Sequence, residues 1–268
     1  MTILDDILAT KRDEVTVLRR PQTRDLLRRR ALDAPPTRDF HAALRPAGGG
    51  LAVIAECKRR SPSKGELAPD LDPAATARAY AAGGAAAMSV LTDHVYFGGT
   101  VADLQAAREA VDIPILRKDF TIDEVQVHEA RAIGADAILL ILAALPDDAH
   151  LLDLHDLARA LGLGVLVEAH DAEEVARGVG LGVEVLGVNA RDLATFGEDL
   201  EGAAATAGAI PPGTVAVAES AIGGVEDAAR MAAVGFDAVL VGEALVRSPD
   251  STALVAAMTQ VTVRRRGG

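Results

Sequence analysis

Glu56 and Lys58 stand two residues apart at the end of the apolar run LAVIAECK (51–58), and a second lysine, Lys118, closes IPILRKD (113–119). Only four lysines occur among 27 Lys plus Arg residues: Lys11, Lys58, Lys64 and Lys118. A chain that uses arginine for most of its positive charge reserves lysine for work that arginine cannot do. A guanidinium stays protonated at any working pH, whereas a desolvated ammonium can give and take a proton. Lys118 therefore fits a general acid. Lys11, inside ILDDILATKRDEVTVLRR (3–20), reads more simply as a surface residue of an N-terminal helix.

Carboxylates recur at equivalent places. Glu168 lies at the end of GVLVEAH (164–170), Glu219 and Ser220 end TVAVAES (214–220), Asp119 follows Lys118, and Glu243 follows Gly242 in DAVLVGEA (237–244). Asn189 closes VEVLGVNA (183–190), with Arg191 just beyond. Ion pairs capping a core would explain any one of these residues. Two ammonium groups and two carboxylates gathered from three strands, with little bulk water, point instead to shifted proton affinities and acid/base chemistry. Two glycine-containing turns, ESAIGG (219–224) and VGEAL (241–245), suggest an anion site, because backbone N–H groups there donate to phosphate. Glu243 is unfavourable beside a phosphate, so its carboxylate is expected to point away while its N–H donates.

These residues need a scaffold that brings strand ends together. Eight short apolar runs follow the GGG at 48–50: 51–58, 85–93, 113–119, 136–142, 164–170, 183–190, 214–220 and 237–244. Ala-rich stretches at helical spacing separate them, such as DPAATARAYAAGG and PDDAHLLDLHDLARALG, several opening with Asp or Pro as helix starts do. Continuous apolar runs alternating with helices indicate buried parallel strands in βα units. Eight such units make a (β/α)8 TIM barrel, whose active site forms at the C-terminal strand ends. An open doubly wound sheet is the competitor, but no GxGxxG follows the first run. Side chains alternate along a strand, so Ile54, Glu56 and Lys58 share one face, as do Leu116 and Lys118. With Ile54 inside the barrel, both charged groups of the first strand enter its mouth.

Residues 1–47 read as an N-terminal helical extension packed on a barrel of residues 48–268, one domain overall, with Pro21 breaking the first helix. Aromatic residues make up 3% of the chain and the net charge is −12, which argues against base stacking, nonspecific nucleic-acid binding and anionic membranes. The RRR at 264–266 reads as a solvated terminal charge run, since no amphipathic basic helix surrounds it. A single Cys57 excludes an intrachain disulfide and a Cys-rich metal site. The longest apolar run, 137–146, is too short to span a bilayer, and the acidic residues of the first twenty positions are unlike a signal peptide. A cytoplasmic protein follows. Its six histidines form no HxH or HExxH pair, so no metal site is expected, and no GxSxG marks an acyl-transfer hydrolase.

IAECKRRSPSKGEL (54–67) closely resembles the signature of the indole-3-glycerol phosphate synthase family. MSVLTDHVYFGG, ILRKDF, VLVEAH, GVNARDL and AVAES resemble further blocks of that family in the same order, and ILDDILATKRDEV looks like its extra helix before the barrel. The resemblance implies a cofactor-free ring closure of 1-(2-carboxyphenylamino)-1-deoxyribulose 5-phosphate to indole-3-glycerol phosphate, with loss of CO2 and water. It implies Lys118 as the general acid and Glu168 in the proton transfer of dehydration. Lys58 would hold the substrate carboxylate and is a second candidate for acid duty, and Glu56 and Asn189 would orient these groups. Ser220, Ala221, Gly242 and Glu243 would form the phosphate cradle. Phe97, Phe120 and Leu139 would line an aromatic pocket, and Arg191 and Ser61 would complete the polar contacts.

The sequence departs from the family in two places. Ala221 stands where glycine is usual, and would be strained at positive φ; Glu243 stands where a small Ser or Thr is common. RRSPSKG (59–65) is expected to form a mobile flap. The expected partner is a small phosphorylated substrate, with no nucleic acid or membrane, and the protein a monomer or weak homo-oligomer. A related phosphate-binding barrel such as phosphoribosylanthranilate isomerase needs no strand-1 Glu-x-Lys beside a strand-3 Lys. A noncatalytic barrel would tolerate the loss of Lys118 and Glu168, which are both present.

Overall fold

Each of the eight apolar runs becomes a strand inside its expected range: β1 Ala52–Cys57, β2 Ala87–Leu91, β3 Ile115–Lys118, β4 Ala137–Ile141, β5 Gly164–Ala169, β6 Val185–Asn189, β7 Val215–Glu219 and β8 Ala238–Val241. The computed structural model describes residues 2–46, 48–191 and 197–267. The last two residues of the GVNARDL block, Asp192 and Leu193, lie outside them. Neighbouring strands pair in parallel, and β1 pairs with both β2 and β8, so the sheet closes into a (β/α)8 barrel.

Both faces of every strand are buried, which is why the runs are continuously apolar. Ile54, Leu116, Leu139, Leu166, Val217 and Leu240 fill the interior. Val53, Ala55, Cys57 and Val90 face outward into the layer shared with the helices. Glu56 and Lys58 continue the inward face begun by Ile54. Opposite the site, Phe40 closes the barrel floor. A Cβ on Gly164, the first residue of β5, would lie 2.9 Å from the Phe40 Cβ, so only glycine leaves room for that ring.

The helix starts follow from cap chemistry. Asp72, Asp123, Asp147, Asp171 and Asp250 each accept a hydrogen bond from a first-turn backbone N–H. Thr2 and Asp5 form a reciprocal capping box ahead of α1, Ile3–Leu18. Pro21 does end the first helix, but it also occupies the opening turn of a second one, α2 Pro21–Asp33. A proline lacks only an N–H that the first turn leaves unpaired anyway.

The expectation for Lys11 is overturned. It is buried at 1% exposure, and its ammonium lies 2.9 Å from each of Glu14, Asp93 and Asp119. Asp93 follows β2 and Asp119 follows β3, so α1 is bolted across the mouth of the barrel rather than laid on its outside. Burial disfavours the ammonium, but the surrounding carboxylates outweigh it and raise its proton affinity. Ile3, Leu4 and Ile7 of the same helix face the cavity at that mouth.

Candidate active site

The cavity has a volume of about 620 Å³ and opens at the C-terminal ends of the strands. Ionisable side chains form its floor. Lys118 Nζ, from β3, donates to Glu168 Oε2 at 2.5 Å and to Glu219 Oε2 at 2.9 Å. Lys58 Nζ lies 2.8 Å from Glu56 Oε1, and Ser89 donates to the other oxygen of Glu56 at 3.2 Å. Strand β6 adds Asn189, whose Nδ2 donates to Glu168 Oε1 at 3.0 Å and whose Oδ1 accepts the Arg191 N–H at 3.0 Å. Two lysines, three glutamates and an amide thus converge from β1, β3, β5, β6 and β7.

Burial drives the electrostatics of this floor, and the close pairs decide its direction. Glu219 is pushed up to about 8: burial raises it, Lys118 opposes that without cancelling it, and the neighbouring Glu168 charge adds to the rise. Burial acts the same way on Glu168, but Lys118 and His170 prevail and hold it well below the usual carboxylate range. One ammonium between two buried carboxylates cannot satisfy two negative charges, so the pair divides into an anion and an acid. Lys118 itself is raised despite burial, because Glu168, Glu219 and Glu56 all face it. Glu56 is lowered against its burial by Lys58 and Lys118.

Glycines make room for these charges. A Cβ on Gly187 of β6 would fall 2.0 Å from Glu219 Oε1. One on Gly242 would fall 2.6 Å from Glu56 Oε1 and 3.1 Å from Lys58 Nζ. Gly242, expected at a phosphate cradle, therefore also leaves room for the Glu56–Lys58 pair, which a side chain there would have to displace.

Above the floor, Phe97 and Phe120 stand with ring centroids 6.2 Å apart, and with Leu139 they make an apolar wall. Asp93 fixes the Phe97 backbone, accepting its N–H at 3.1 Å, and Asp119 accepts the N–H of Phe120 at 2.8 Å. Lys11 therefore ties together the two carboxylates that hold the two rings. Across the cavity, Ser220, Ala221, Gly242 and Glu243 line one side of the mouth. Ser220 and Ala221 have φ of 64° and 55°, so the strained geometry foreseen for Ala221 is present and Ser220 shares it. The Glu243 carboxylate pairs with Arg247 Nε at 3.1 Å, within its own helix.

Two expected contacts take other forms. Ser61 is buried inside a short hairpin, Arg60–Ser61 with Gly65–Glu66, where its Oγ accepts the Lys64 N–H at 3.2 Å. Ser61 does not line the cavity; Pro62, Ser63 and Lys64 do. The hairpin's base is fastened by Arg59, which pairs with Asp103 and donates to the Leu71 carbonyl at 3.0 Å. Arg191 lines the cavity while pairing with Glu198 at 2.5 Å. Glu14 and His170 had no role in the sequence reading, although their partners are local: Glu14 pairs with Lys11 of the same helix, and His170 lies between Glu168 and Glu174; Glu219 was visible at its strand end but had no assigned partner.

Among the described residues, no group of three or more His, Cys, Asp or Glu side chains is placed to hold a metal ion, and no helix is long and apolar enough to cross a membrane.

The family model described as indole-3-glycerol phosphate synthase matches residues 4–258. A protein of that name from Nocardioides sp. (strain ATCC BAA-499 / JS614) is 52% identical over 261 residues, covering 97% of this chain and 99% of the relative. Another from Arthrobacter sp. (strain FB24) is 51% identical over 252 residues, covering 92% and 91%. Among solved structures, a thiamine phosphate pyrophosphorylase from Pyrococcus furiosus superposes with a TM-score of 0.59 at 17% identity, over 84% of this chain and 98% of its own. That likeness is one of fold.

Proposed function

The chain belongs to the indole-3-glycerol phosphate synthase family, and on that premise we propose which of its side chains carry each step. The reaction closes the ring of 1-(2-carboxyphenylamino)-1-deoxyribulose 5-phosphate, with loss of CO2 and water, in tryptophan biosynthesis. The observation that carries the assignment is the Lys118 ammonium held between Glu168 at 2.5 Å and Glu219 at 2.9 Å.

The ring carbon bearing the carboxylate attacks the ketone carbon, and the ketone's π electrons move to oxygen. Lys118 protonates that oxygen. An alkoxide is a stronger base than an amine, so the transfer runs downhill even from a stabilised ammonium. The carboxylate leaves as CO2, and its bonding pair restores the aromatic ring. The new hydroxyl then departs as water, taking a second proton, while the carbon beside nitrogen loses one proton to Glu168. Two protons enter and one leaves, so each turnover takes up one proton. Glu219, protonated near neutral pH, stands beside Lys118 as a donor for the second.

Lys58 holds the substrate carboxylate, with Glu56 fixing its ammonium, and Asn189 orients Glu168. Phe97, Phe120 and Leu139 take the aryl ring, which lies between the α1 side chains and the barrel. Ser220, Ala221, Gly242 and Glu243 receive the phosphate through backbone groups, with Arg247 keeping the Glu243 carboxylate occupied. Arg191 supplies a further polar contact, and Ser61 shapes the hairpin that brings Pro62, Ser63 and Lys64 to the cavity. The protein is read as a monomer or weak homo-oligomer acting on a small phosphorylated substrate in the cytoplasm. Residues 1–47 act with the barrel as one domain.

Purified protein is expected to convert this substrate without added cofactor, seen as new indole fluorescence. Lys118→Met is expected to lower kcat by about 100- to 10,000-fold with an unchanged circular dichroism spectrum. A near-parent kcat in that variant would remove Lys118 from the acid role.

A further inference from the structure

His170 follows β5 directly and is not among the residues that line the cavity. Its side chain is nonetheless 11% exposed and lies between two carboxylates. Nε2 is 3.2 Å from Glu168 Oε1. On the other edge Nδ1 is 3.1 Å from Glu174 Oε2, and the His170 backbone N–H donates to that same oxygen at 2.8 Å. Glu174 belongs to the first turn of the helix Ala172–Gly180, and its own N–H donates to the N-cap, Asp171, at 2.8 Å. The ring is therefore fixed from behind by a residue that is itself fixed by its helix start.

We propose that His170 is a positioning residue for this site: wedged between Glu168 and Glu174, its ring pins one oxygen of Glu168 and leaves the other turned to Lys118. The proposal rests on the reading of Glu168 as the base of the dehydration step.

The contacts on Glu168 divide by oxygen. Oε2 accepts from Lys118 at 2.5 Å. Oε1 takes Asn189 Nδ2 at 3.0 Å and His170 Nε2 at 3.2 Å. Nε2 is buried without a well-aligned acceptor, so its tie to Oε1 is a charge contact more than a directed hydrogen bond. Such a contact depends on the ring being charged. Burial opposes the charge, but Glu168 and Glu174 outweigh burial and push His170 up to about 10. The charged groups that meet in this corner are Lys118 from β3, Glu219 from β7, Glu168 and His170 from the end of β5, and Glu174 from the following helix.

A base that sits beside a second buried carboxylate needs help to stay ionised. Lys118 is shared between Glu168 and Glu219, and it gives its proton away during the reaction. At that moment the imidazolium charge and the Asn189 amide donor are what remain on Glu168. His170 thus keeps the carboxylate ionised and oriented when the ammonium no longer can.

The test is the pH profile of the whole enzyme. His170→Gln removes the charge and keeps a hydrogen-bonding side chain. The acid limb of kcat/KM, which reports a carboxylate that must be ionised, is expected to move up by about one pH unit. A limb superimposed on that of the parent overturns the proposal. If His170→Gln fails to fold, Glu174→Gln decides by NMR titration of the His170 ring. The ring is expected to lose its proton well below the value of about 10 expected in the parent, and an unchanged titration overturns the clamp. Glu168→Gln tests the underlying reading separately. A near-parent kcat there overturns the role of Glu168, whereas an inactive Glu168→Gln beside an unmoved His170→Gln limb counts against His170 alone.

Discussion

Lys11 Nζ lies 2.9 Å from Asp119 Oδ1, joining the N-terminal helix to the residue next to Lys118. Asp119 also accepts from Thr92 at 2.5 Å and from Arg117 at 3.4 Å. Removing one member of a buried, multiply paired charge cluster leaves the others uncompensated. Lys11→Met is expected to destabilise the fold by about 3–5 kcal/mol, measured by urea unfolding at neutral pH. Asp119→Asn together with Lys11→Met should recover part of that loss, because the anion left behind is then gone. A Lys11→Met variant within about 0.5 kcal/mol of the parent, the range of ordinary surface substitutions, would show that the cluster is not structural.

The barrel was legible because burial on both faces imposes a local rule that each strand obeys separately: a short run of apolar residues between polar turns. Glu56, Lys58, Lys118 and Glu168 were legible for the complementary reason. They interrupt such runs near the strand end, where a charge has no business unless it faces the mouth. Lys11 was misread because nothing local distinguishes it from a lysine on the wet face of an amphipathic helix. Its burial comes from Asp93 and Asp119, about 80 to 110 residues further along. Ser61 was placed among the polar contacts by its motif, yet the hairpin turns its Oγ toward Lys64 N and brings its neighbours Pro62, Ser63 and Lys64 to the cavity.

Gly187 is held to glycine by a charge rather than by backbone conformation. A methyl there would sit 2.0 Å from Glu219 Oε1 and 3.2 Å from Leu166 Cδ1. Gly187→Ala is expected to push the Glu219 carboxylate off Lys118 and lower kcat about 100-fold, the scale of an ångström-sized misplacement. Steady-state kinetics with indole fluorescence reads it. Parent-like kcat in a folded Gly187→Ala would mean that Glu219 is dispensable.

Ala221 carries backbone strain at φ 55° beside Ser220 at 64°. An L-residue pays about 1–2 kcal/mol in this region, and glycine recovers it less its larger unfolded-state entropy. Ala221→Gly is thus expected to stabilise the protein by up to about 1 kcal/mol, whereas Ala221→Val should destabilise it by about 1–3 kcal/mol. Thermal unfolding separates the two. Equal midpoints for both variants would contradict the strain.

Stability should decline on the alkaline side. His170 is raised from 6.5 to about 10 in the folded protein by Glu168 and Glu174 acting against burial. A group that binds its proton more tightly when folded contributes fully below its unfolded value and loses that contribution as pH rises through its folded value. For His170 the loss runs from about 6.5 to about 10. Glu219, raised from 4.5 to about 8 chiefly by burial, acts in the same direction across the lower window. Urea unfolding free energies collected from pH 5 to 10 are therefore expected to fall at the high end. His170→Gln should flatten the upper part of the slope and Glu219→Gln the lower part. A parent curve that is level from pH 7 to 10, or one that His170→Gln leaves equally steep, would mean that the His170 proton is no tighter in the folded chain than in the unfolded one.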